Sequence, residues 1–347
     1  MFKQFQIQDF RNIRHCSLDL SDGFNFFIGD NGAGKTSILE AMNFIARGKS
    51  FRTKNISRVI NNQSDFFQLI ATLERGTLLG MKRSPSEITA RLNRLPVKKL
   101  STLAKSLPLF LITPNTHDLI ERGPEYRRQF IDWGLFHVEP EYGKIIQEYR
   151  RILKQRNAGL QLKPSQSDVW DPGLIKCADK VDVIRKAYIK KISPIFSDIH
   201  MRLTALRNVT LRYHSGWKQG VTFPEELYGK RGVDGERGFT SVGPHRADVY
   251  IKVDGVHARE ILSRGQQKMT VIALVLAQAA FASENNTPIL LIDDLSSELD
   301  TDHQSRLFEL IRESKAQSII TSVNLTMDQI PHDSVMFHVE HGVVSRQ

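Results

Sequence analysis

Hydrophobic residues near the start of the chain occur in short runs that alternate with polar neighbours. Such runs lie at residues 17–20, 24–28, 66–73 and 78–83. Alternation with a period of two residues, bounded by turn sequences such as Ser21-Asp22-Gly23, is typical of β-strands. The first hundred residues are therefore predicted to form a lobe that is rich in β-sheet.

The middle of the chain has the longer hydrophobic period of a helix. Apolar residues recur at helical spacing over residues 142–153 and again over residues 181–199, which predicts two amphipathic helices with basic polar faces. The Pro/Ser-rich segment 163–167 separates them, and Pro194 is predicted to kink the second helix. The glycine-rich segment 228–238 that follows is predicted to be a loop.

Strand alternation returns at residues 249–253 and ends at the turn Asp254-Gly255. A helix is predicted to begin after Ser263, and because residues 271–281 are almost wholly apolar this helix should be buried. Residues 289–292 form a continuous apolar run, which is typical of a strand buried on both faces of a parallel sheet. Sheet-forming segments at both ends of the chain thus flank a helical insertion.

The composition favours a globular protein with a polyanionic partner. The 347 residues are 40% hydrophobic, and the net charge of +10 with a pI near 9.6 suggests a polyanion such as nucleic acid, although a solvated basic surface alone gives the same total. Two distant cysteines, Cys16 and Cys177, offer neither a metal cluster nor a disulfide framework. The N-terminus lacks the apolar run of a signal peptide, and no stretch is long enough to span a bilayer. We expect a cytoplasmic protein without membrane contact.

A phosphate-binding motif follows the strand at residues 24–28. The sequence matches G-x-x-x-x-G-K-[ST], with a strand before it and a helix after it. Glycines let the backbone wrap a phosphate, and amides at the helix N-terminus point at it. Lys35 is expected to reach the β- and γ-phosphates during catalysis, and the Thr36 hydroxyl to bind Mg²⁺. The predicted nucleotide-binding residues are Gly29, Asp30, Asn31, Gly32, Ala33, Gly34, Lys35 and Thr36.

A second set of candidate residues lies near the other end of the chain. Asp293 closes the buried strand and is expected to hold Mg²⁺, while Asp294 is expected to polarise the attacking water. An apolar strand that ends in Asp is a common pattern, and by itself it is not specific for a nucleotide site. Two nearby segments make the pattern more specific. They are Ser263-Arg264-Gly265-Gln266, thirty residues earlier (293 − 263 = 30), and Ser297-Glu298-Leu299-Asp300. Ser263 is expected to be the N-cap of the following helix, where its amide and hydroxyl would bind an anion; taken alone, Ser-Arg-Gly favours a plain N-cap.

Together these motifs resemble the ABC-type ATPase head, a P-loop NTPase in which the signature serine of one subunit completes the γ-phosphate site of another. Further segments are similar to the RecF family of bacterial recombination and repair ATPases. Apart from the ATPase motifs, the segments that carry the resemblance are Asp9-Phe10-Arg11-Asn12-Ile13, Gly48-Lys49-Ser50-Phe51-Arg52, Ile112-Thr113-Pro114, Gly123-Pro124-Glu125-Tyr126-Arg127-Arg128-Gln129-Phe130-Ile131-Asp132-Trp133, Leu153-Lys154-Gln155-Arg156-Asn157 and Gly243-Pro244-His245-Arg246-Ala247-Asp248.

The resemblance implies an α/β fold: an ABC-type ATPase head with an inserted helical lobe. Residues 1–115 and 236–347 would form the discontinuous ATPase lobe, and residues 116–235 the insertion. In the nucleotide site, Arg11 and Asn12 would join the phosphate loop of the same chain. Ser263 and Gly265 would act in trans, on the nucleotide of a partner chain.

The functional implication is ATP-dependent binding to single-stranded or gapped DNA and to single-strand/double-strand junctions. With ATP and Mg²⁺ as cofactors, two chains would dimerise and help RecO and RecR to load RecA in replication, recombinational repair and the SOS response. The ATPase would be weak, stimulated by DNA, and used as a switch.

Some positions depart from the usual ABC pattern. Asp294 stands where many heads have Glu, and residues 318–323 lack a switch histidine, so turnover is expected to be slow. The usual Mg-binding glutamine has no clear counterpart; Asn115 is a weak candidate. His245 is expected to be structural, because nothing in the sequence pairs it with a nucleophile or metal set.

Three other functions share part of this pattern. The alternative we retain is an SMC-like chromosome-structuring ATPase head, although the insertion lacks sustained heptads. A transporter motor subunit would not explain Phe10-Arg11-Asn12, and a nuclease would need a further acidic cluster.

Overall fold

The computed structural model describes residues 1–162, 168–284, 286–294, 301–323 and 329–347. Two segments singled out above, the Pro/Ser-rich stretch 163–167 and the acidic stretch 297–300, lie outside these residues. The chain forms two compact units. Unit 1 contains Met1–Thr116, Arg202–Thr204 and Ile272–Gln347, and unit 2 contains His117–Met201 and Ala205–Val271.

The β-strands of the described residues fall into three sheets. Their bounds are β1 (Phe2–Phe10), β2 (Ile13–Asp19), β3 (Phe24–Ile28), β4 (Phe67–Leu73), β5 (Leu78–Arg83), β6 (Ile88–Leu92), β7 (Leu95–Pro96), β8 (Leu109–Ile112), β9 (Val209–His214), β10 (Asp248–Val253), β11 (Val256–His257), β12 (Ile289–Ile292), β13 (Gln317–Ser322), β14 (Val335–Glu340) and β15 (Val343–Arg346).

The helices of the described residues occur in both units. Their bounds are α1 (Lys35–Arg47), α2 (Ser101–Lys105), α3 (Asp118–Glu121), α4 (Pro124–Val138), α5 (Tyr142–Leu162), α6 (Asp171–Thr204), α7 (Phe223–Gly229), α8 (Arg231–Arg237), α9 (Ala258–Ile261), α10 (Arg264–Ala282) and α11 (Thr301–Glu313).

Unit 1 is built on two six-stranded sheets. One is antiparallel, with strand order β2-β1-β4-β5-β6-β7, and the other has the order β15-β14-β3-β13-β12-β8. In the second sheet the strands from β14 to β8 are parallel, and only β15 is antiparallel to its neighbour. Because parallel strands share a direction, the carboxyl ends of β3, β13 and β12 meet at one edge.

Helix α1 contacts both sheets, and its apolar side chains are part of the hydrophobic core of unit 1. From Ser37 to Ala46 every one of its residues is buried. The alternation predicted for β4 is observed: Phe67, Leu69, Ala71 and Leu73 are buried, and the residues between them are partly exposed. Burial of one face of β4 against an apolar helix is what a period of two residues provides.

Unit 2 combines helices α3 to α9 with a three-stranded antiparallel sheet of order β11-β10-β9. The two predicted amphipathic helices are present as α5 and α6. Pro194 lies inside α6, which continues to Thr204. The turn between β10 and β11 is the predicted Asp254-Gly255, and both residues have positive φ, at 50° and 83°.

The prediction of a loop at residues 228–238 is wrong, because helix α8 occupies most of this segment. Its glycines disfavour a helix locally, yet tertiary contacts stabilise it. The buried carboxylate of Asp234 accepts hydrogen bonds from Arg156 at 3.0 Å and from the Ser241 amide and hydroxyl at 2.9 and 2.6 Å. Gly238 then ends the helix in the left-handed conformation.

The second boundary of the insertion also differs from the one expected at residues 235/236. Strand β9 pairs with β10 over six residues, from Asp248 opposite His214 to Val253 opposite Val209. Because this ladder joins segments on both sides of the expected boundary, residues 236–271 belong to unit 2. Assigning ATPase activity to unit 1 remains a prediction.

Among the described residues, each helix is too short or too polar to cross a lipid bilayer.

Candidate functional site

The phosphate loop lies between the end of β3 and the start of α1, where two of its glycines, Gly29 and Gly34, are needed for space. A Cβ on Gly29 would lie 2.1 Å from the backbone oxygen of Val339. At Gly34, φ is 122° and a Cβ would lie 2.9 Å from Nδ2 of Asn12. No side chain caps α1, so the amides of its first turn remain available to a ligand. This is the geometry of an anion-binding helix N-terminus.

Lys35, the first residue of α1, is only 7% exposed. Its ammonium donates to the backbone oxygens of Gly29 and Asp30 at 2.7 and 2.8 Å. Burial lowers its pKa, while the nearby carboxylates of Asp294 and Asp293 act in the opposite direction. The loop thus holds a cation beside the space that its own amides face.

Asp293 joins the two halves of the predicted site. Its Oδ1 accepts hydrogen bonds from the hydroxyls of Thr36 at 2.8 Å and Thr321 at 2.9 Å. Burial raises the pKa of this carboxyl, and the two hydroxyls partly offset that shift. Residues 257 positions apart in sequence are brought into contact because β3 and β12 both flank β13.

The oxygens of Thr36 and Asp293 fit a magnesium ion. Mg²⁺ binds oxygen ligands at about 2.0–2.1 Å in octahedral geometry, so neighbouring ligands lie about 2.9 Å apart. The observed separation of the Thr36 hydroxyl and the Asp293 carboxylate is 2.8 Å. One ion could therefore replace the hydrogen bond and take both oxygens as ligands.

Asp294 adopts an uncommon backbone conformation, with φ at 54°. Its amide donates to the Thr321 hydroxyl at 2.8 Å, so Thr321 bridges both acidic residues. A non-glycine residue in the left-handed region costs roughly 1 kcal/mol or more, and such strain is common at functional sites. The side chain is partly exposed and lines the same cleft as Lys35 and Thr36.

Arg11 and Asn12 both line the cleft but already have partners within the chain. The Arg11 guanidinium donates to the buried carboxylate of Glu40 at 2.7 and 3.0 Å, and also to the backbone oxygen of Arg58. The Asn12 amide donates to the backbone oxygen of Ala33 at 3.1 Å and accepts from the Ser37 hydroxyl at 3.0 Å. Asn12 therefore braces the phosphate loop, and direct contact of either residue with nucleotide remains a prediction.

The cleft has a volume of about 550 Å³ and brings together most of the predicted residues of unit 1. Gly29, Asp30 and Ala33 are not part of its lining, although the first two bind the Lys35 ammonium through their backbone oxygens. Asn115 is exposed and also lies outside the lining. The lining residues are Arg11, Asn12, Asn31, Gly32, Gly34, Lys35, Thr36, Ser37, Arg52, Arg58, Ile60, Asn61, Asn62, Asp293, Asp294, Thr321 and Val323.

Sequence reasoning missed several of these residues. Thr321 could have been found from strand register, because Ile292 pairs with Ile320 in a parallel ladder and the next positions are Asp293 and Thr321. Arg52 and Arg58 come from the segment between α1 and β4, where no periodicity marks them. They add two further cations to the cleft, and Arg52 also lies 3.5 Å from Glu40.

Ser263 and Gly265 lie in unit 2, at the exposed start of α10. The Ser263 amide donates to Oε1 of Gln266 at 3.0 Å, and the Gln266 amide donates to the Ser263 hydroxyl at 3.3 Å. This reciprocal pair is a capping box, so Ser263 is the N-cap that the sequence predicted. A Cβ on Gly265 would meet no atom within 4 Å. Nothing in the chain itself requires glycine there.

His245 is held as a structural residue. Its Nε2 donates to the backbone oxygen of Thr240 at 2.9 Å, and its Nδ1 accepts from the Tyr149 hydroxyl at 2.7 Å. Burial lowers its pKa to about 4, so the ring is neutral at physiological pH.

Comparison with known proteins identifies the family. The RecF/RecN/SMC N-terminal domain matches residues 1–345. The DNA replication and repair protein RecF of Shewanella piezotolerans is 38% identical over 353 residues, covering 99% of this chain and 98% of that protein. RecF of Pseudomonas aeruginosa is 37% identical, covering 97% of this chain and 95% of that protein.

Solved structures show the same fold. The recombination mediator protein RecF in its ATP form superposes with a TM-score of 0.88 at 22% identity, covering 100% of this chain and 97% of the other. An Smc head bound to the C-terminal winged-helix domain of ScpA gives a TM-score of 0.62 at 18% identity, covering 100% and 96%. The fold is thus that of an ABC-type ATPase head, and with the sequence matches the chain belongs to the RecF family of DNA replication and repair proteins.

Proposed function

We propose that the protein is an ATP-controlled DNA clamp: two chains close around two ATP molecules, and the closed dimer binds DNA at gaps and single-strand/double-strand junctions. Hydrolysis then reopens it. The observation that carries this proposal is the contact between Thr36 and Asp293, which assembles the phosphate loop and the acidic strand end into one cleft.

Four residues of the cleft have proposed roles that their surroundings support. Lys35 neutralises the β- and γ-phosphates once its ammonium leaves the loop oxygens. Thr36 and Asp293 would hold Mg²⁺, which would supply charge stabilisation to the phosphoryl group. Asp294 orients the attacking water from a carboxyl group at the edge of the same cleft.

Two features of the cleft support slow turnover. Asp294 is one methylene shorter than glutamate, so its reach to a water molecule is reduced. At the end of β13, the cleft is lined by Thr321 and Val323, and neither side chain can act as a general acid or base. Hydrolysis would then serve as a timer.

The start of α10 supports a role for Ser263 in trans. Residues 263–266 are exposed. A Cβ added to Gly265 would meet no atom of the described residues within 4 Å, so a side chain would fit there. A glycine that the chain does not need is explained if another molecule approaches its backbone closely. The γ-phosphate of a nucleotide bound to a second chain fits this position, because helix N-termini attract anions.

DNA is the partner that the charge and the family favour. The chain has a net charge of +10, and basic proteins bind the phosphate backbone without reading bases. One structural relative is described as a recombination mediator in the RecFOR pathway. We therefore infer that the clamp works with RecO and RecR to load RecA.

The insertion is short for a chromosome-structuring head. Its two longest helices, α5 and α6, contain 21 and 34 residues. At 1.5 Å per residue, the longer one extends roughly 50 Å, which is far less than a long coiled-coil arm.

The mass of the particle in solution tests this function. The chain has a mass of 39.6 kDa, so the proposal requires a species near twice that value when ATP and Mg²⁺ are present. Gapped duplex DNA should bind to that species and not to the nucleotide-free protein. A protein that stays monomeric with ATP, or binds DNA equally without it, contradicts the proposal.

A further inference from the structure

The turn at residues 243–248 in unit 2 is held by arginine side chains from α4 and α6, of which Arg185 is buried and Arg127 and Arg128 are partly buried. Arg185 donates to the backbone oxygen of Pro244 at 2.7 Å, and Arg128 donates to that of Ala247 at 2.8 Å. At its end, Asp248 accepts two hydrogen bonds from Arg127, at 2.7 and 3.0 Å. Charge-assisted hydrogen bonds to backbone oxygens fix a turn more firmly than neutral ones do.

Close backbone packing adds to this rigidity. Gly243 has φ at 128°, and a Cβ there would lie 2.8 Å from the Tyr149 hydroxyl. A Cβ on Gly216 would lie 2.1 Å from the backbone oxygen of Gly243. His245 is fixed through both ring nitrogens, by Tyr149 and Thr240. Neither neighbouring segment leaves room for the turn to shift.

Arg246 is the exposed residue of this turn. Its guanidinium lies over the ring of Phe239, 5.4 Å from the ring centre, and Phe239 is itself 36% exposed. Stacking on an aromatic ring restricts the side chain and leaves the N–H groups at the guanidinium edge facing outward. Among the described residues, no carboxylate forms an ion pair with Arg246.

Three other arginines within the described ranges lie over aromatic rings, and each has a carboxylate partner. Arg122 over Tyr126 lies 2.8 Å from Asp118. Arg231 over Tyr228 lies 3.1 Å from Asp171, and Arg312 over Phe24 lies 2.8 Å from Asp333. These three stacked arginines are therefore neutralised internally, whereas Arg246 has no counter-charge in the part of the chain that the structure describes. An external anion would supply the counter-charge of Arg246.

We propose that Arg246, fixed by the 243–248 turn and stacked on Phe239, is a phosphate-binding residue of the DNA surface. This inference rests on the proposed function and assigns one of its contacts. A planar guanidinium binds two phosphate oxygens at once. DNA is favoured over an acidic protein because the whole chain is strongly basic, and because the exposed edge of Phe239 offers an apolar surface to a sugar or base.

The test is a titration of gapped duplex DNA with ATP and Mg²⁺ at several salt concentrations, comparing the parent protein with Arg246→Gln. A phosphate contact contributes about one unit to the slope of log affinity against log salt. Arg246→Gln should lower the slope by about that amount and weaken binding to all DNA sequences alike. Arg246→Lys retains the charge and should restore the slope.

Arg122→Gln is the matched control, because Arg122 has the same exposed stacking geometry but is neutralised by Asp118. It should leave the slope unchanged. Thermal unfolding of Arg246→Gln should stay close to that of the parent, since the removed guanidinium has no ion pair in the part of the chain described and loses only its contact with Phe239.

The outcomes separate this inference from the proposed function. If the parent shows no ATP-dependent DNA binding, both are wrong. If the parent binds but Arg246→Gln has the same affinity and slope, only the phosphate contact is wrong. If DNA binding is unchanged and the ATP-dependent dimer is weakened, Arg246 contacts a second chain, which also overturns the assignment.

Discussion

Lys35 is the residue on which nucleotide binding is proposed to depend most directly. It is the cation of a loop whose other phosphate ligands would be backbone amides. Lys35→Ala removes charge-assisted hydrogen bonds worth roughly 1.5–3 kcal/mol, so ATP affinity should fall about 10- to 100-fold. Isothermal titration with ATP and Mg²⁺ measures this. Lys54→Ala, at an exposed position outside the cleft, should match the parent. Undiminished affinity in Lys35→Ala would refute the assignment of the loop.

Asp294 should affect hydrolysis without affecting binding. Asn tolerates the left-handed conformation observed there, so Asp294→Asn preserves the backbone while removing the charge that polarises water. A general base typically contributes a factor of about 10²–10⁴. Single-turnover assays should show hydrolysis slower by at least about 100-fold, and ATP affinity close to that of the parent. Turnover at the parent rate would mean that another group activates the water.

At the level of single residues, the sequence predicted the phosphate loop and both acidic residues but not the residues that lie next to them in space. The loop residues Lys35 and Thr36 are recognisable because their motif directly follows the strand β3. The acids Asp293 and Asp294 are recognisable because they directly follow the apolar strand β12. Thr321 acts on them through strand pairing, and Arg52 approaches through a loop. Proximity that arises only from tertiary structure leaves no periodic signal.

Elements buried on both sides were predicted best. The observed bounds of β3 and β12 agree with the apolar runs at residues 24–28 and 289–292. Helix α8 was missed because its stability comes from the bonds of Asp234 to Arg156 and Ser241, which outweigh the preference of its glycines. Local propensity is a weak guide wherever a buried polar group decides the conformation.

Two buried histidines should make unit 2 sensitive to acid. Burial lowers the pKa of His245 and of His200 to about 4, from an ordinary value of 6.5. A group whose pKa is lower in the folded state binds fewer protons folded than unfolded between these values. The stability it contributes is complete above pH 6.5 and is lost as pH falls towards 4.

Chemical denaturation between pH 7 and pH 4 measures this loss. The free energy of unfolding should decrease by up to roughly 7 kcal/mol, at about 1.4 kcal/mol for each pKa unit between 6.5 and 4 and for each of the two histidines. In His200→Gln, whose side chain can still bond the Thr270 hydroxyl, the decrease should be smaller. Equal pH dependence in both proteins would contradict the assignment of His200 as a buried neutral ring.

At the scale of the whole molecule, the ATPase site of one chain is proposed to require the α10 start of another. Ser263→Arg places a bulky cation at the exposed N-cap. ATP should still bind Lys35 and Thr36 of the same chain with parent affinity, while the ATP-dependent dimer and its salt-linked DNA binding should be lost. Sedimentation with ATP, with and without DNA, reports both. Parent-like dimerisation would show that the dimer closes elsewhere.

A mixture of Lys35→Ala and Ser263→Arg proteins tests the composite site most directly. Each variant alone should remain at 39.6 kDa with ATP, because every possible site lacks one half. A heterodimer would contain one complete site, formed by the phosphate loop of the Ser263→Arg chain and the serine of the Lys35→Ala chain. The account predicts that the mixture regains an ATP-dependent species of twice the chain mass and part of the hydrolysis. A mixture that stays monomeric and inactive, although the Ser263→Arg protein binds ATP, would contradict it.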